Sequence, residues 1–296
     1  MEKFTIKQFR ERFPNDNACL AELFKIRYGH MKECPKCEHK AEYVRVKTRK
    51  CYHCRYCYHQ IYPTAGTIFH KSTTPLKDWF FVMFLMTSTR NGVASKEVER
   101  LLGCTYKTAL RMTHQIRKLM SGKDKDKLTG FVEMDESWVG GTPRTSDYGS
   151  KWEKYPYRWR DFNRKSTVFG MVERRGHVWA VVVPDAKKET LVPIITKSVD
   201  KSAKVSTDEN KAYKRLCDLG YEHKAVSHMI KQYRDGWATT NTIEGFWSQL
   251  KRMVKGTHIF VSREYLQRYI DECAYRYNQR ELGREMFNHL LLRVAG

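Results

Sequence analysis

Two close cysteine pairs, Cys34-x2-Cys37 and Cys54-x2-Cys57 with sixteen residues between them, constrain this chain more than any other feature. Each C-x2-C turn presents two thiolates to one point, and two such turns complete a tetrahedral Zn2+ site. The alternating "AEYVRV" between the pairs suits a connecting hairpin, so residues 31–70 are expected to form a zinc ribbon around a structural Zn2+. Cys51 leaves a second pairing open, because Cys51-x2-Cys54 is also a legal knuckle. The 54/57 pair is preferred, since Cys51 then precedes the turn by one short strand. Six of the nine cysteines lie before residue 60, a clustering that points to metal rather than disulfides.

At 296 residues the chain exceeds the usual single core, and two or three domains are expected. Lys and Arg outnumber Asp and Glu by 55 to 33, a formal +22 spread along the whole sequence. A polyanion is the natural partner of such a chain. A membrane surface is the competing partner, but the longest apolar run, "WFFVMFLM", has eight residues and is too short to span a bilayer. The opening "MEKFTIKQFRERFP" carries charges where a signal peptide needs an apolar core. The expectation is a cytoplasmic, nucleoid-associated protein with no membrane partner, whose residues 1–30 form a helical segment.

In "SKEVERLLGCTYKTALRMTHQIRKLM", Val98, Leu101 and Leu102, then Ala109, Met112, Ile116 and Leu119, keep helical spacing on both sides of a glycine turn. This is the pattern of a helix-turn-helix within 71–122, and equally of a plain helical hairpin. Beside a ribbon and a +22 charge, DNA contact is the preferred reading. Lys107, Arg111 and Gln115 are then the DNA-facing candidates, with His114 and Arg117 on the same polar side. The preceding "LKDWFFVMFLMTST" reads as a core helix, and the lysine-rich "SGKDKDKLTG" as a domain boundary.

Beyond it, "FVEMDESWVGG" alternates so that Val132, Met134 and Trp138 share one face and Glu133 and Asp135 the other. Aspartate is a poor strand former, and Asp135 inside this run calls for a reason beyond propensity. A hairpin around "RRGH", an amphipathic helix over "KKETLVPIITKSV" and a short strand ending at Asp208 follow. That order is the order of a ribonuclease-H-like sheet over 130–260, in which the fourth strand returns beside the first and places Asp208 next to Asp135. From about Thr242, Ile243, Trp247, Leu250 and Val254 form an apolar helical stripe, with Glu244, Ser248, Lys251 and Lys255 one position on. Glu244 thus lies on the rim of the buried face, although Asn241 and Glu244 also have the spacing of a capping box. Three carboxylates from two strands and a helix repel one another unless cations neutralise them, and oxygen donors favour Mg2+ or Mn2+. Two such ions would support in-line phosphoryl transfer, with Lys251 beside them on a phosphate.

Taken together, the ribbon running into "AGTIFH", "SKEVERLLGCTYKTALRM", "VEMDESWVGG", "STDENKAY", "TNTIEGFWSQLKR" and "RYIDECAYRYNQR" resemble the IS1595-type transposases, the ISXO2-like group with a DDE catalytic domain, over nearly the whole chain. The resemblance implies an α/β chain in which a ribonuclease-H-like domain follows a zinc ribbon and a helix-turn-helix. It implies Asp135, Asp208 and Glu244 as the Mg2+/Mn2+-binding triad and Lys251 as the basic residue seven positions after the acid. Thirty-five residues lie between Asp208 and Glu244, the interval of D,D(35)E enzymes. Asn241 is a candidate accessory ligand, since some members carry asparagine as the third residue. Where the family leads one to expect histidine before "TN" this chain has Thr239, and His228 is the candidate substitute.

The reaction implied is nicking at element ends and joining of the freed 3′-hydroxyl to target DNA by a homodimer or larger multimer. Arg252 and Lys255 extend the expected DNA surface, as do Arg276 and Arg280 in a helical tail over 261–296 and the aromatic, basic insert at 142–165. A catalytically inactive regulator and a structure-selective nuclease remain the alternative readings.

Overall fold

Thr5 opens the chain's first helix with a capping box: its hydroxyl accepts from Gln8 N–H while the Gln8 side chain accepts from Thr5 N–H at 2.7 Å. In this computed structural model, which describes residues 4–122, 126–140, 165–227 and 234–295, that helix is α1 (Ile6–Arg12). Two compact units result, Met1–Leu119 with Leu282–Gly296, and Met120–Glu281.

In the first unit, α2 (Asp16–Tyr28) is followed by an antiparallel three-stranded sheet of β1 (Tyr43–Val46), β2 (Cys51–Cys54) and β3 (Gln60–Ile61). Phe24 of α2 stacks on Tyr52 of β2 with ring centroids 4.3 Å apart. Helices α3 (Leu76–Ser88), α4 (Ser95–Leu102) and α5 (Tyr106–Met120) follow. Gly103 ends α4 at φ +63°, a left-handed conformation that glycine adopts without a Cβ penalty, and its N–H closes on Glu99 C=O at 2.9 Å. The apolar stripe read from the sequence is buried at Val98, Ala109, Met112 and Ile116, whereas Leu101 is half exposed. His114 and Arg117, placed by the sequence on the polar side, are buried, because the covered arc of α5 is wider than its apolar stripe.

The C-terminal segment is not one tail. Its last helix, α9 (Met286–Leu292), completes the first unit: Phe287 lies 5.9 Å from the rings of Phe9 and Phe13 and 6.4 Å from Phe80.

The second unit is a five-stranded sheet in the order β6-β5-β4-β7-β8. Strand β4 (Phe131–Val139) is central, β5 (Ser166–Glu173) and β6 (Val178–Val183) run antiparallel in a hairpin, and β7 (Lys204–Thr207) returns parallel to β4 after helix α6 (Lys188–Ser198). The fourth strand therefore lies beside the first, as the sequence order required. A fifth strand, β8 (Glu222–Ala225), was not anticipated; its "EHKA" shows no apolar alternation because it is an exposed edge. Val132, Met134, Phe169 and Met171 pack with Leu191 and Ile195 of α6 on one side. Val139, Val168 and Val172 pack with Ile243, Phe246, Trp247 and Leu250 of α7 (Asn241–Arg252) and with Ile270 of α8 (Leu266–Asn278) on the other. Along the edge strand β6, Gln267 of α8 accepts from Val182 N–H at 2.8 Å and donates to Ala180 C=O at 3.1 Å, occupying groups that would otherwise invite a foreign strand. One sequence expectation fails on β4: Trp138 is 43% exposed, on a stretch of β4 that runs past its pairing with β7 while Val139 beside it stays buried.

Two interactions fix α7. Gly170 lets the Trp247 ring lie flat against β5: a Cβ at 170 would come within 2.6 Å of the indole carbons. Glu133, fully buried on β4, accepts from Thr242 N–H at 2.7 Å, Thr242 Oγ1 at 2.8 Å and Ile243 N–H at 3.2 Å. A strand carboxylate thus serves as the cap of α7, replacing the local Asn241–Glu244 box: Thr240 is the N-cap residue, it makes no side-chain cap bond, and Asn241 is the first helical residue. Arg174 completes the arrangement, donating to Glu133 at 3.1 Å and to Trp237 C=O at 3.1 Å.

Glu133→Gln, which keeps an acceptor but removes the charge, is expected to cost about 2 kcal/mol, a fall of roughly 4–8 °C in the melting of the second unit by calorimetry. Gly170→Ala is expected to destabilise the same transition by about 1–3 kcal/mol through overpacking against Trp247, while leaving that of the first unit unmoved.

Candidate functional site

Parallel pairing of Glu133 with Ser206 fixes the register that brings Asp208, two residues on, beside Asp135. Carboxylate oxygens of Asp135, Glu136 and Asp208 lie within 4.8 Å of one another. Each is held by the fold. Trp247 Nε1 donates to Asp135 Oδ2 at 3.0 Å, so the ring that packs on Gly170 also orients the acid. Asn210 N–H donates to Asp208 Oδ1 at 3.1 Å, and its side-chain amide donates to Glu136 at 3.3 Å. The Tyr213 hydroxyl donates to the same Glu136 oxygen at 2.5 Å.

Glu244 stands in the first turn of α7 with an exposed side chain and accepts from Thr240 Oγ1 at 2.9 Å. Its charge acts on Asp135, but it stays outside the tight group of three. Sequence reasoning placed Glu133 on the face of Asp135 without its capping role, and missed Glu136 and the indole bond to Asp135. The only available signal was the concentration of three acids in "EMDE" within a single strand.

Burial, then the charge of Asp208, pushes the Asp135 carboxyl up to about 6, against the indole bond and a backbone N–H that favour the anion. Burial pushes Glu136 up to about 7, opposed by the Tyr213 hydrogen bond and reinforced by the two aspartates. Close acids that resist ionisation together form a seat for positive charge, and their oxygen donors suit a hard divalent cation.

On the outer side of α7, Glu244, Ser248, Lys251 and Lys255 are all exposed along one line, with Arg252 exposed next to it. Asn241 is exposed at the helix start, and Thr239, which occupies the expected histidine position, exchanges backbone bonds with the Ser206 hydroxyl. His228 and residues 142–164 of the insert lie outside the described residues. Of the helical candidates in the first unit, Lys107 is exposed and Gln115 half-buried. Arg111 is already engaged, its guanidinium over the Trp79 ring at 5.5 Å and donating to Ser72 Oγ at 3.2 Å. In the tail, Arg280 donates to Gly176 C=O and Tyr277 C=O, and Arg276 is half-buried.

The cysteines form a second centre. Cys34 Sγ lies 3.7 Å from Cys57 Sγ and Cys37 Sγ 3.8 Å from Cys54 Sγ, with all four sulfurs within 4.8 Å of one another. Four ligands at a Zn–S distance of about 2.3 Å put tetrahedral edges at roughly 3.8 Å, so the site fits structural zinc. Both knuckles close alike: Cys34 N–H bonds to His39 C=O at 2.8 Å and Cys54 N–H to His59 C=O at 2.9 Å. Cys51 is buried on β2 and is not part of the group.

Because Asp135 and Glu136 hold protons more tightly in the fold than in the unfolded chain, the folded state binds more protons between about pH 4 and 7. Without divalent cation, the stability of the second unit is therefore expected to fall as pH rises through that window. Thermal melts from pH 4 to 7.5 in EDTA check this, and Asp135→Asn is expected to flatten the slope.

Known proteins resemble this chain over both of its units. Residues 127–278 match the ISXO2-like transposase domain and residues 14–60 the transposase zinc-ribbon domain. A protein of the transposable element ISH50 from Halobacterium salinarum is 26% identical over 256 residues, covering 84% of this chain and 86% of the relative. A transposase-like protein of Haemophilus influenzae is 30% identical over 105 residues, 36% of this chain and 84% of that protein. With the domain match spanning more than half of its length and a zinc ribbon ahead of it, the chain belongs to the ISXO2-like transposase family.

Proposed function

We propose that this chain is a DNA transposase that binds the terminal inverted repeats of an insertion element and catalyses metal-dependent nicking and strand transfer. The observation that carries the proposal is the juxtaposition of Asp135 on β4 with Asp208 just past the end of the neighbouring β7, with Glu244 carried by a helix that the sheet itself caps. The strand order, a three-stranded antiparallel run with β7 returning parallel beside β4, supports reading residues 130–260 as a ribonuclease-H-like domain, and α8 packs on the same sheet.

Asp135, Asp208 and Glu244 would hold Mg2+ or Mn2+, with Glu136 behind the two aspartates and Asn241 as an accessory ligand. The ions supply Lewis acidity toward phosphoryl oxygens and a metal-activated nucleophile. The chain's own residues do the positioning. Trp247 holds the Asp135 carboxylate by its indole N–H, Asn210 ties Asp208 to Glu136, and Glu133 anchors the helix that carries Glu244. Lys251, two turns along α7 from Glu244, is placed to take a phosphate flanking the scissile bond, and Arg252 and Lys255 continue that surface. Helices α4 and α5, joined by a three-residue turn, serve as the helix-turn-helix, with Lys107, Arg111 and Gln115 toward DNA; Arg111 must leave Ser72 to do so. The ribbon, with Zn2+ on Cys34, Cys37, Cys54 and Cys57, supports that DNA-binding half. Two ends must be cut and joined together, so a homodimer or larger multimer is the working form on DNA.

The test is incubation of purified protein with a labelled element end and a target plasmid in Mg2+, Mn2+ or EDTA. Metal-dependent nicking and joining are expected, lost by at least a hundredfold in Asp135→Asn and Glu244→Gln with end binding retained. Cys34→Ser is expected to weaken end binding instead. Nicking without joining would identify a structure-selective nuclease, and binding without chemistry in any metal a DNA-binding regulator.

A further inference from the structure

Past Arg252, helix α7 widens into a π-helical turn, Met253–His258, a distortion that recurs at functional sites. The turn ends at Ile259, whose backbone has φ +63° and ψ −54°. Phe260 N–H bonds to His258 C=O at 2.6 Å, closing a three-residue γ-turn about Ile259 in its rare, strained form. A β-branched residue is among the worst suited to positive φ, since its Cβ substituents crowd the following carbonyl.

The strained turn drives two large apolar side chains into solvent: Ile259 is 81% exposed and Phe260 55%. The base beneath them is fixed. Met253, Val254 and Val261 are buried, and the His258 ring packs edge-on against Tyr269 at 4.7 Å. Among the described residues, neither side chain belongs to the buried clusters of the second unit.

Their surroundings select an occupant. Lys251, Arg252, Lys255 and Arg263 are exposed on the same segment, against one exposed acid, Glu264. A second copy of this chain, at formal +22, would bring like charge to that rim, whereas a polyanion matches it. An apolar point ringed by cations is the chemistry of side chains that wedge between base steps while the cations hold the flanking phosphates.

Resting on the transposase reading, we infer that Ile259 and Phe260 form a wedge that inserts between stacked bases of DNA lying along α7. Fifteen residues separate Ile259 from Glu244, which at the helical rise is roughly 20 Å, so the unstacked step lies within about six base pairs of the cut. Substrates with a weakened stack at that step, through a mismatch or an abasic site, bind more tightly because less unstacking remains to be done.

The test uses the full chain in EDTA, so that no cleavage intervenes, with duplexes of the element end carrying 2-aminopurine at successive positions. Binding is followed separately by anisotropy of an end label. A several-fold rise in 2-aminopurine emission is expected at one or two adjacent positions within that distance of the cut. The rise is expected to disappear in the Ile259→Ala/Phe260→Ala double variant, with less than a tenfold loss of affinity and unchanged melting. The double variant is also expected to lose the preference for a duplex with an abasic site at the bright position. Binding without a bright position, or emission that survives in the double variant, overturns the wedge while leaving the transposase reading intact. A change in the sedimentation of the DNA-free protein on substitution also overturns it, by assigning the patch to a second copy. Failure to bind any duplex overturns both.

Discussion

The second unit turns on one buried carboxylate. Glu133 sits at the centre of the sheet, where an uncompensated charge would be prohibitive, and it is matched by two helix N-terminal amides, a threonine hydroxyl and a guanidinium. The helix amides stay unpaired without it, and Glu133 stays unpaired without the helix. This mutual dependence fixes where α7 begins along β4, and hence where Glu244 stands relative to Asp135 two residues further on the same strand. Arg174 extends the same arrangement to Trp237, so the approach to α7 is tied down before the helix starts.

Much of this architecture was legible in the sequence, because it rests on periodicity and spacing. The cysteine intervals gave the knuckles; the alternation at 131–139 and the helical pattern of Ile243, Trp247, Leu250 and Val254 gave the two layers around the sheet. The neighbouring positions of Asp135 and Asp208 followed from strand order alone. The cap on α7 was not legible, because its donor and acceptor lie about 110 residues apart and the local Asn241–Glu244 spacing offered a plausible rival. Glu136 was hidden for a related reason. Strand alternation assigns it to the apolar face, and only the Tyr213 hydroxyl and the Asn210 amide explain why a carboxyl is tolerated there. His114 and Arg117 show the opposite failure, in which polar identity suggested exposure and tertiary packing overrode it.

The two centres of the chain divide their chemistry by ligand hardness. Four sulfurs at tetrahedral spacing close one site, while the three carboxyl groups gathered at the other supply fewer donors than a hard cation takes and leave it open. The closed site organises a ribbon whose strands have two to four residues and bury little apolar surface of their own. The open site takes its order from the sheet and from the Trp247 indole, and its acids are pushed toward neutrality by burial and by one another.

Helix α9 carries a further consequence. Its Phe287 closes the aromatic cluster of the first unit, although the second unit intervenes in the chain between the two. On the ribosome, the N-terminal half emerges first but lacks the ring that completes its core until residue 287 has been made. Any product that stops short of α9 would contain every residue of the carboxylate site and of the ribbon, yet leave Phe9, Phe13 and Phe80 facing an open cleft. Completion of the N-terminal unit is in this way a check on the synthesis of everything that separates its two parts.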